Sequence, residues 1–325
     1  MPENKPSIRV HKIPVKGDYW GRAFKRPLRS DLLQETVKRY FAKPDNALLR
    51  SFGERHRKSY GLEDLSTVTA GLFQEGENAY VFRVNVEAKD RKKSRLAMIV
   101  AKNEGGMSRL AKLEHDNLKR LHLRCKDRVV QPLEGGHMSL SGQRPARVYA
   151  YFTLWLNRFH ELGVQHKNMN FYINELPFQY FDSRISDRIK GRMLGLMFRL
   201  YDPLRGEAIE PPKVGAGDFV MTRKSPHELK LIACRKMMKG VSLDRCMALY
   251  LGYQGTWGDR LFHFVPNEIE PLRQALIEGL VIHHGLRAED VLLALKRYRD
   301  GLGPVKPRQD EWTPLAALNK LLSKP

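Results

Sequence analysis

The sequence predicts an α+β fold, with a small antiparallel sheet and one helix followed by a mainly helical half, on three observations. Three segments rich in β-branched and aromatic residues follow one another between Leu65 and Ala101, separated by turn-forming or charged residues. A helical period comes next, with Leu110, Glu114, Leu118 and Leu121 on one face. Beyond Ser186 helical spacing dominates, interrupted by two short strand-like segments.

Taken in order, residues 1–30 mix proline, glycine and basic residues without a sustained period and read as an extended arm. Ser30 caps a predicted helix over Asp31–Phe41, and the basic stretch Arg50–Lys58 leads to Glu63-Asp64. The predicted meander is Val68–Gln74, Ala79–Val86 and Leu96–Ala101, with Glu75-Gly76-Glu77-Asn78 as the first turn. Ser108 caps a helix to about Leu123, and strands are expected at Val129–Leu133 and Arg147–Thr153. A helix runs from Ser186 to Tyr201, where Pro203 stops it. Strands at Asp218–Thr222 and Leu229–Ala233 precede helices at Ser242–Leu251, Pro266–His283 and Ala288–Asp300. Gly301–Pro307 reads as a linker and Pro314–Leu322 as a last helix. The implied divisions are a basic extension (1–64), a sheet-and-helix region (65–153), a helical region (154–300) and a C-terminal linker with its helix (301–325).

The charge balance narrows the partners. The chain carries 57 Lys and Arg against 36 Asp and Glu, a net +21. Residues 1–60 hold 15 of the bases and six of the acids. That excess attracts polyanions, either nucleic acid or anionic lipid headgroups, while leaving a protein partner open. No segment has the roughly 20 apolar residues of a transmembrane helix, and MPENKPSIRVHK lacks the apolar core of a secretory signal, so a cytoplasmic location is expected. Cys125, Cys234 and Cys246 are widely spaced and form no C-x-x-C motif, which argues against a disulfide framework or zinc ribbon. His283-His284 reads as a helix-end pair, and Trp155, Trp257, Tyr250 and Tyr253 as core aromatics.

Strand, turn, strand, then a strand ending in lysine and a helix bearing an inward acid is the order that a nucleotide-binding lobe requires. A hairpin covers phosphates, a lysine on the third strand binds their oxygens, and a helix carboxylate holds that lysine. Lys102 ends the third strand, and Glu114 sits within an apolar stripe, where an acid needs a buried partner. With Gly76-Glu77-Asn78-Ala79-Tyr80-Val81-Phe82-Arg83-Val84, the pattern over residues 65–265 resembles the protein-kinase-like superfamily, in its aminoglycoside and choline phosphotransferase branch. The resemblance implies a two-lobed fold, ATP as cofactor, and Gly76, Asn78, Lys102 and Glu114 as cofactor-binding residues. Asp218, in Gly217-Asp218-Phe219, becomes the catalytic proton acceptor.

The metal positions depart from that pattern. Arg223 stands where an asparagine is expected and Ala233 where an aspartate is expected, which removes magnesium ligands and leaves Arg223 to meet phosphate directly. A degenerate, pseudokinase-like binding or regulatory module is therefore the leading expectation. An active ATP-dependent phosphotransferase using Asp218 and a basic nucleic-acid-binding protein are the alternatives. A second placement of the catalytic loop, Phe159–Asn168 with Asp182 as metal ligand, competes with the first. Val214-Gly215-Ala216-Gly217-Asp218-Phe219 also resembles the anion-hole signature of ribokinase-like sugar kinases.

Overall fold

The computed structural model describes residues 6–11, 30–76, 78–140, 146–165, 170–174, 177–211, 215–224, 228–252, 254–257, 260–263 and 265–301. Helices and strands are mixed throughout, as an α+β fold requires. The described residues fall into two compact units. The first holds those up to Lys119 together with Val130–Asn157, and the second holds Arg120–Val129 and those from Arg158 onward.

The first unit is built on a six-stranded sheet. Its strands are β1 (Ser7–His11), β2 (Leu65–Glu75), β3 (Ala79–Ala88), β4 (Lys93–Ala101), β5 (Pro132–Leu140) and β6 (Ala146–Leu154), in the spatial order β1-β2-β3-β4-β6-β5. All pairings are antiparallel except β1 with β2. The meander follows directly from alternation, because Phe82, Val84 and Val86 on β3 are buried while Arg83 and Asn85 between them are exposed. The same buried face carries Val68 and Ala70 of β2 and Leu96, Met98 and Val100 of β4.

Helices α1 (Ser30–Phe41) and α2 (Ala47–His56) contribute to this core, with Val37, Phe41, Leu48 and Phe52 fully or almost fully buried. Asn46 caps α2 by accepting from the Leu49 amide at 3.0 Å. The Phe52 ring meets Tyr60 edge-on at 4.7 Å, and His56 bonds Ser94 of β4 at 2.9 Å. The boundary expected at residue 64 is therefore corrected: residues 33–60 are part of the first unit, and β1 extends its sheet. Basic residues around α2 hid the apolar stripe beneath them, and Arg50–Lys58, read as a basic stretch, lies largely in α2.

Helix α3 (Gly106–Arg124) follows β4 and ends among residues of the second unit. That unit contains the sheet β12-β11-β7-β8-β9, formed by β7 (Phe159–Val164), β8 (Phe171–Ile173), β9 (Gln179–Tyr180), β11 (Phe219–Thr222) and β12 (Leu229–Leu231). Between β9 and β11 run α4 (Ser183–Leu200) and β10 (Ala208–Ile209), and β10 pairs with β13 (Met237–Met238). After β13 come α5 (Leu243–Leu251), the hairpin of β14 (Gln254–Trp257) and β15 (Arg260–His263), α6 (Ile269–Leu276) and α7 (Ala288–Gly301).

The second half keeps more helix than strand, as expected, but it also holds this five-stranded sheet, of which the sequence predicts only β11 and β12. Its strands β7 to β9 are two to six residues long, too short for alternation to register in the sequence. Helix α4 packs on α6 through glycines: a Cβ at Gly195 would come within 3.2 Å of the Ala275 Cα. The helix expected over Pro266–His283 continues past α6 as a π-helical turn, Ile277–Ile282. The expected linker beyond Gly301 and the helix at Pro314–Leu322 lie outside the described residues. Among the described residues no helix is long and apolar enough to cross a membrane.

Phe52→Ala tests the embedded role of the N-terminal helices. Emptying this fully buried site is expected to cost about 3–5 kcal/mol, read as a lower denaturant midpoint with an unchanged slope. Removal of residues 1–60 exposes the face beneath α1 and α2, and the shortened chain is expected to lose cooperative unfolding of the first unit. Wild-type stability in either variant shows those helices to be dispensable.

Candidate functional site

The β2–β3 hairpin gathers three sequence-predicted residues at one end of the sheet. The Gly76 amide donates to the Ala79 carbonyl at 2.9 Å, closing the turn. The Lys102 amide donates to the Asn78 carbonyl at 3.0 Å, carrying the ladder one residue past β4. The Lys102 ammonium makes an ion pair with Glu75 at 2.7 Å, with the two side chains 12% and 21% exposed. It also lies 5.2 Å from the centre of the Tyr80 ring, within cation–π range.

Glu114 is bound elsewhere, and the expected Lys102–Glu114 pair is corrected. Its carboxylate accepts from the Tyr151 hydroxyl at 2.6 Å. Tyr151 pairs with Ile99 on β4, and Tyr80 pairs with the next residue, Val100. Successive strand residues point to opposite faces, so Lys102 keeps company with Tyr80 and Glu75 on one face while Glu114 meets Tyr151 on the other. An acid in an apolar helix stripe does require a partner, and the Tyr151 hydroxyl is one.

Beside Glu114, His115 is buried between the Tyr149 hydroxyl at 2.8 Å and the Leu133 carbonyl at 2.6 Å, and it stacks on Tyr151. Burial pushes the imidazole below its usual range and the Tyr149 phenol up to about 12. Gly135 accommodates this cluster, since a Cβ there would come within 2.5 Å of the Tyr149 hydroxyl.

In the second unit, Asp218 closes a 3-10 turn, Ala216–Asp218, that leads into β11. It is 4% exposed. Its Oδ2 accepts from the Gly215 amide at 2.7 Å and from the Arg235 guanidinium at 2.7 Å. Its own carbonyl accepts from the Ile232 amide at 2.8 Å, just past β12. Burial pushes the Asp218 carboxyl up, against the pull of Arg235 and of the Gly215 amide. The carboxylate expected to act as a proton acceptor is thus buried and held in an ion pair with Arg235, whose side chain is 32% exposed. The turn amide that a ribokinase-like anion hole would offer to a ligand is bound by the same carboxylate.

The remaining candidates do not join Asp218. Arg223 follows the far end of β11, five residues on, which places its Cα about 16 Å away along an extended strand. Asp182 caps α4, accepting from the Ile185 amide at 2.7 Å, so the loop placement that made it a metal ligand is corrected. Residues 159–164 of that placement form β7, and Asn168 lies outside the described residues. Among the histidine pair, His283 bonds Arg199 at 3.1 Å and His284 bonds the Phe198 carbonyl at 3.0 Å.

A lysine with an oriented ammonium fits a phosphate, with Glu75 as the group displaced. The Asp218 neighbourhood does not fit a metal-held triphosphate, because its carboxylate is bound to a guanidinium and positions 223 and 233 carry arginine and alanine. Sequence reasoning missed Glu75, Tyr151 and Arg235. For Arg235 a signal was present: a cation directly after the apolar run Leu231–Cys234 implies an acid nearby. No protein-family model matches this chain, and no curated protein sequence matches it.

Removal of the guanidinium tests the lock. Arg235→Ala leaves Asp218 buried without its counter-charge and is expected to destabilise the second unit by about 3 kcal/mol. A carboxyl whose folded pKa lies above its unfolded value supports the fold at acidic pH and ceases to do so as pH rises through the folded value. Burial already sets that direction for Asp218, and loss of Arg235 extends it, so the deficit is expected to be smaller at about pH 5 than at about pH 8. Equal deficits at both pH values, measured by urea denaturation, contradict this account.

Proposed function

We propose that this chain is a kinase-like domain that no longer transfers phosphoryl groups and serves as a binding module. The observation carrying the proposal is the ion pair of buried Asp218 with half-buried Arg235, which engages the one carboxylate that the resemblance assigns to proton acceptance. Two features favour the kinase-like part. The first unit has a hairpin, a lysine at the end of the third strand and a helix inserted before two further strands. In the second unit Asp218 leads into the β11–β12 hairpin, and β10 and β13 pair around it. The Lys102–Glu114 pairing no longer supports the reading, and Lys102 instead relies on Glu75.

A bound phosphate would take the place of Glu75 on the Lys102 ammonium, and no side chain at positions 223 or 233 supplies an oxygen for magnesium. Nucleotide affinity is therefore expected to be the same with and without magnesium and to fall at least tenfold in Lys102→Ala, measured by titration calorimetry. Turnover is expected to be absent under the same conditions. Magnesium-dependent phosphoryl transfer that Asp218→Ala abolishes would overturn the proposal.

A further inference from the structure

The face of the first unit's sheet opposite Phe82 and Val84 carries a different chemistry. Register places Thr69, Asn85 and Arg95 in one row across β2, β3 and β4, and Gly71, Arg83 and Ala97 in the next. Arg83, Asn85 and Arg95 are exposed. Beside these rows stand two aromatic residues: Phe73, in the irregularity of β2 between Leu72 and Gln74, and Trp155, directly after β6. Phe73 is 47% exposed, and its ring meets Trp155 edge-on at 4.8 Å. A shallow cavity of about 220 Å³ opens alongside, lined by His11, Thr69, Gly71, Arg83 and Asn85 among others.

The arginines are positioned by uncharged groups. The Arg83 guanidinium lies 5.9 Å from the centre of the Trp155 ring. Arg95 donates to the side-chain oxygens of Asn85 at 3.1 Å and Asn157 at 2.9 Å. Their charge is part of the chain's net +21, whereas Glu87, in the same strand alternation, is paired with Lys93 at 3.0 Å. The two arginines occupy diagonal positions on neighbouring strands, about 7 Å apart.

Two oriented guanidiniums beside an aromatic pair, Phe73 exposed and Trp155 half-buried, match a ligand that carries both phosphates and flat π-surfaces. An acidic peptide supplies the charge without the planar rings, and a duplex hides its bases within the stack. We propose that this face binds single-stranded nucleic acid, with bases stacking on Phe73 and Trp155 and phosphates meeting Arg83 and Arg95. The proposal goes beyond the kinase-like reading and does not rest on it, since Lys102 and Glu75 belong to the other face.

The test uses the full chain and a fluorescein-labelled oligouridylate of about 12 nucleotides, followed by anisotropy between about 50 and 200 mM salt. Phe73→Ala and Trp155→Leu are each expected to weaken binding by about fivefold to a hundredfold. The double variant Arg83→Ala, Arg95→Ala is expected to reduce the slope of log affinity against log salt by about 1.4. Phe73→Tyr keeps the ring and is expected to bind like wild type, which separates lost stacking from lost folding. Wild-type affinity and slope in the alanine and leucine variants would overturn the proposal. So would equal binding of a duplex, equal competition by polyglutamate, or displacement of the oligonucleotide by ATP, which would place the ligand at Lys102 instead.

Discussion

The ion pair of buried Asp218 with half-buried Arg235 is the constraint around which the strand system of the second unit is organised. One carboxylate closes the turn at Gly215, and the backbone of the same residue receives the Ile232 amide, so both ends of the β11–β12 hairpin meet at this residue. Arg235 then leads into β13, which pairs with β10. An isolated carboxylate at this depth would be costly, and the guanidinium and turn amide together make the burial tolerable. The same two contacts that steady the fold both fall on Oδ2 and fix the orientation of the carboxylate.

The first unit divides its labour between the two faces of one sheet. On β3 and β4 the face carrying Phe82, Val84, Leu96 and Met98 is apolar and buried, whereas the opposite face carries Arg83, Asn85 and Arg95 in the open and, on β6, the buried Tyr149 and Tyr151. Strand alternation makes this division sharp, since a one-residue step moves a side chain from core to surface. It also explains why Lys102 and Glu114, plausible partners along the chain, find different ones: Tyr80 and Tyr151 pair with adjacent residues of β4 and therefore face opposite ways.

The elements that could be read from the sequence were those with long, uninterrupted periods. The meander over β2 to β4, helix α3 with Leu118 and Leu121, and helix α4 with Ile189, Met193 and Met197 all follow from apolar spacing alone. Helix α2 was obscured because Arg50, Glu54, Arg55 and Arg57 surround the four apolar residues that bury it. Strands β7 to β9 are too short to carry a period. In the candidate site, residue identity was legible but pairing was not. An acid in an apolar stripe announces that it needs a partner, but Tyr151 enters α3's surroundings from 37 residues away, and no local pattern points to it. The role of Trp155 was hidden likewise, since only cross-strand packing shows its ring beside Phe73 and Arg83.

The parallel pairing of β1 with β2 has a consequence for the timing of synthesis. Ser7 aligns with Thr67 and His11 with Gly71, so an early strand must wait for a partner made 60 residues later. At a translation rate of roughly 5–20 residues per second, the wait lasts several seconds. During that interval the backbone donors and acceptors of β1 have no ladder, and its Ile8 and Val10 have no sheet to lie beside. The edge of the sheet is therefore completed out of chain order, after the β2–β3 hairpin has a chance to form locally. A nascent chain stalled between β1 and β2 would hold an unpaired β-forming segment, the kind of species on which chaperones act.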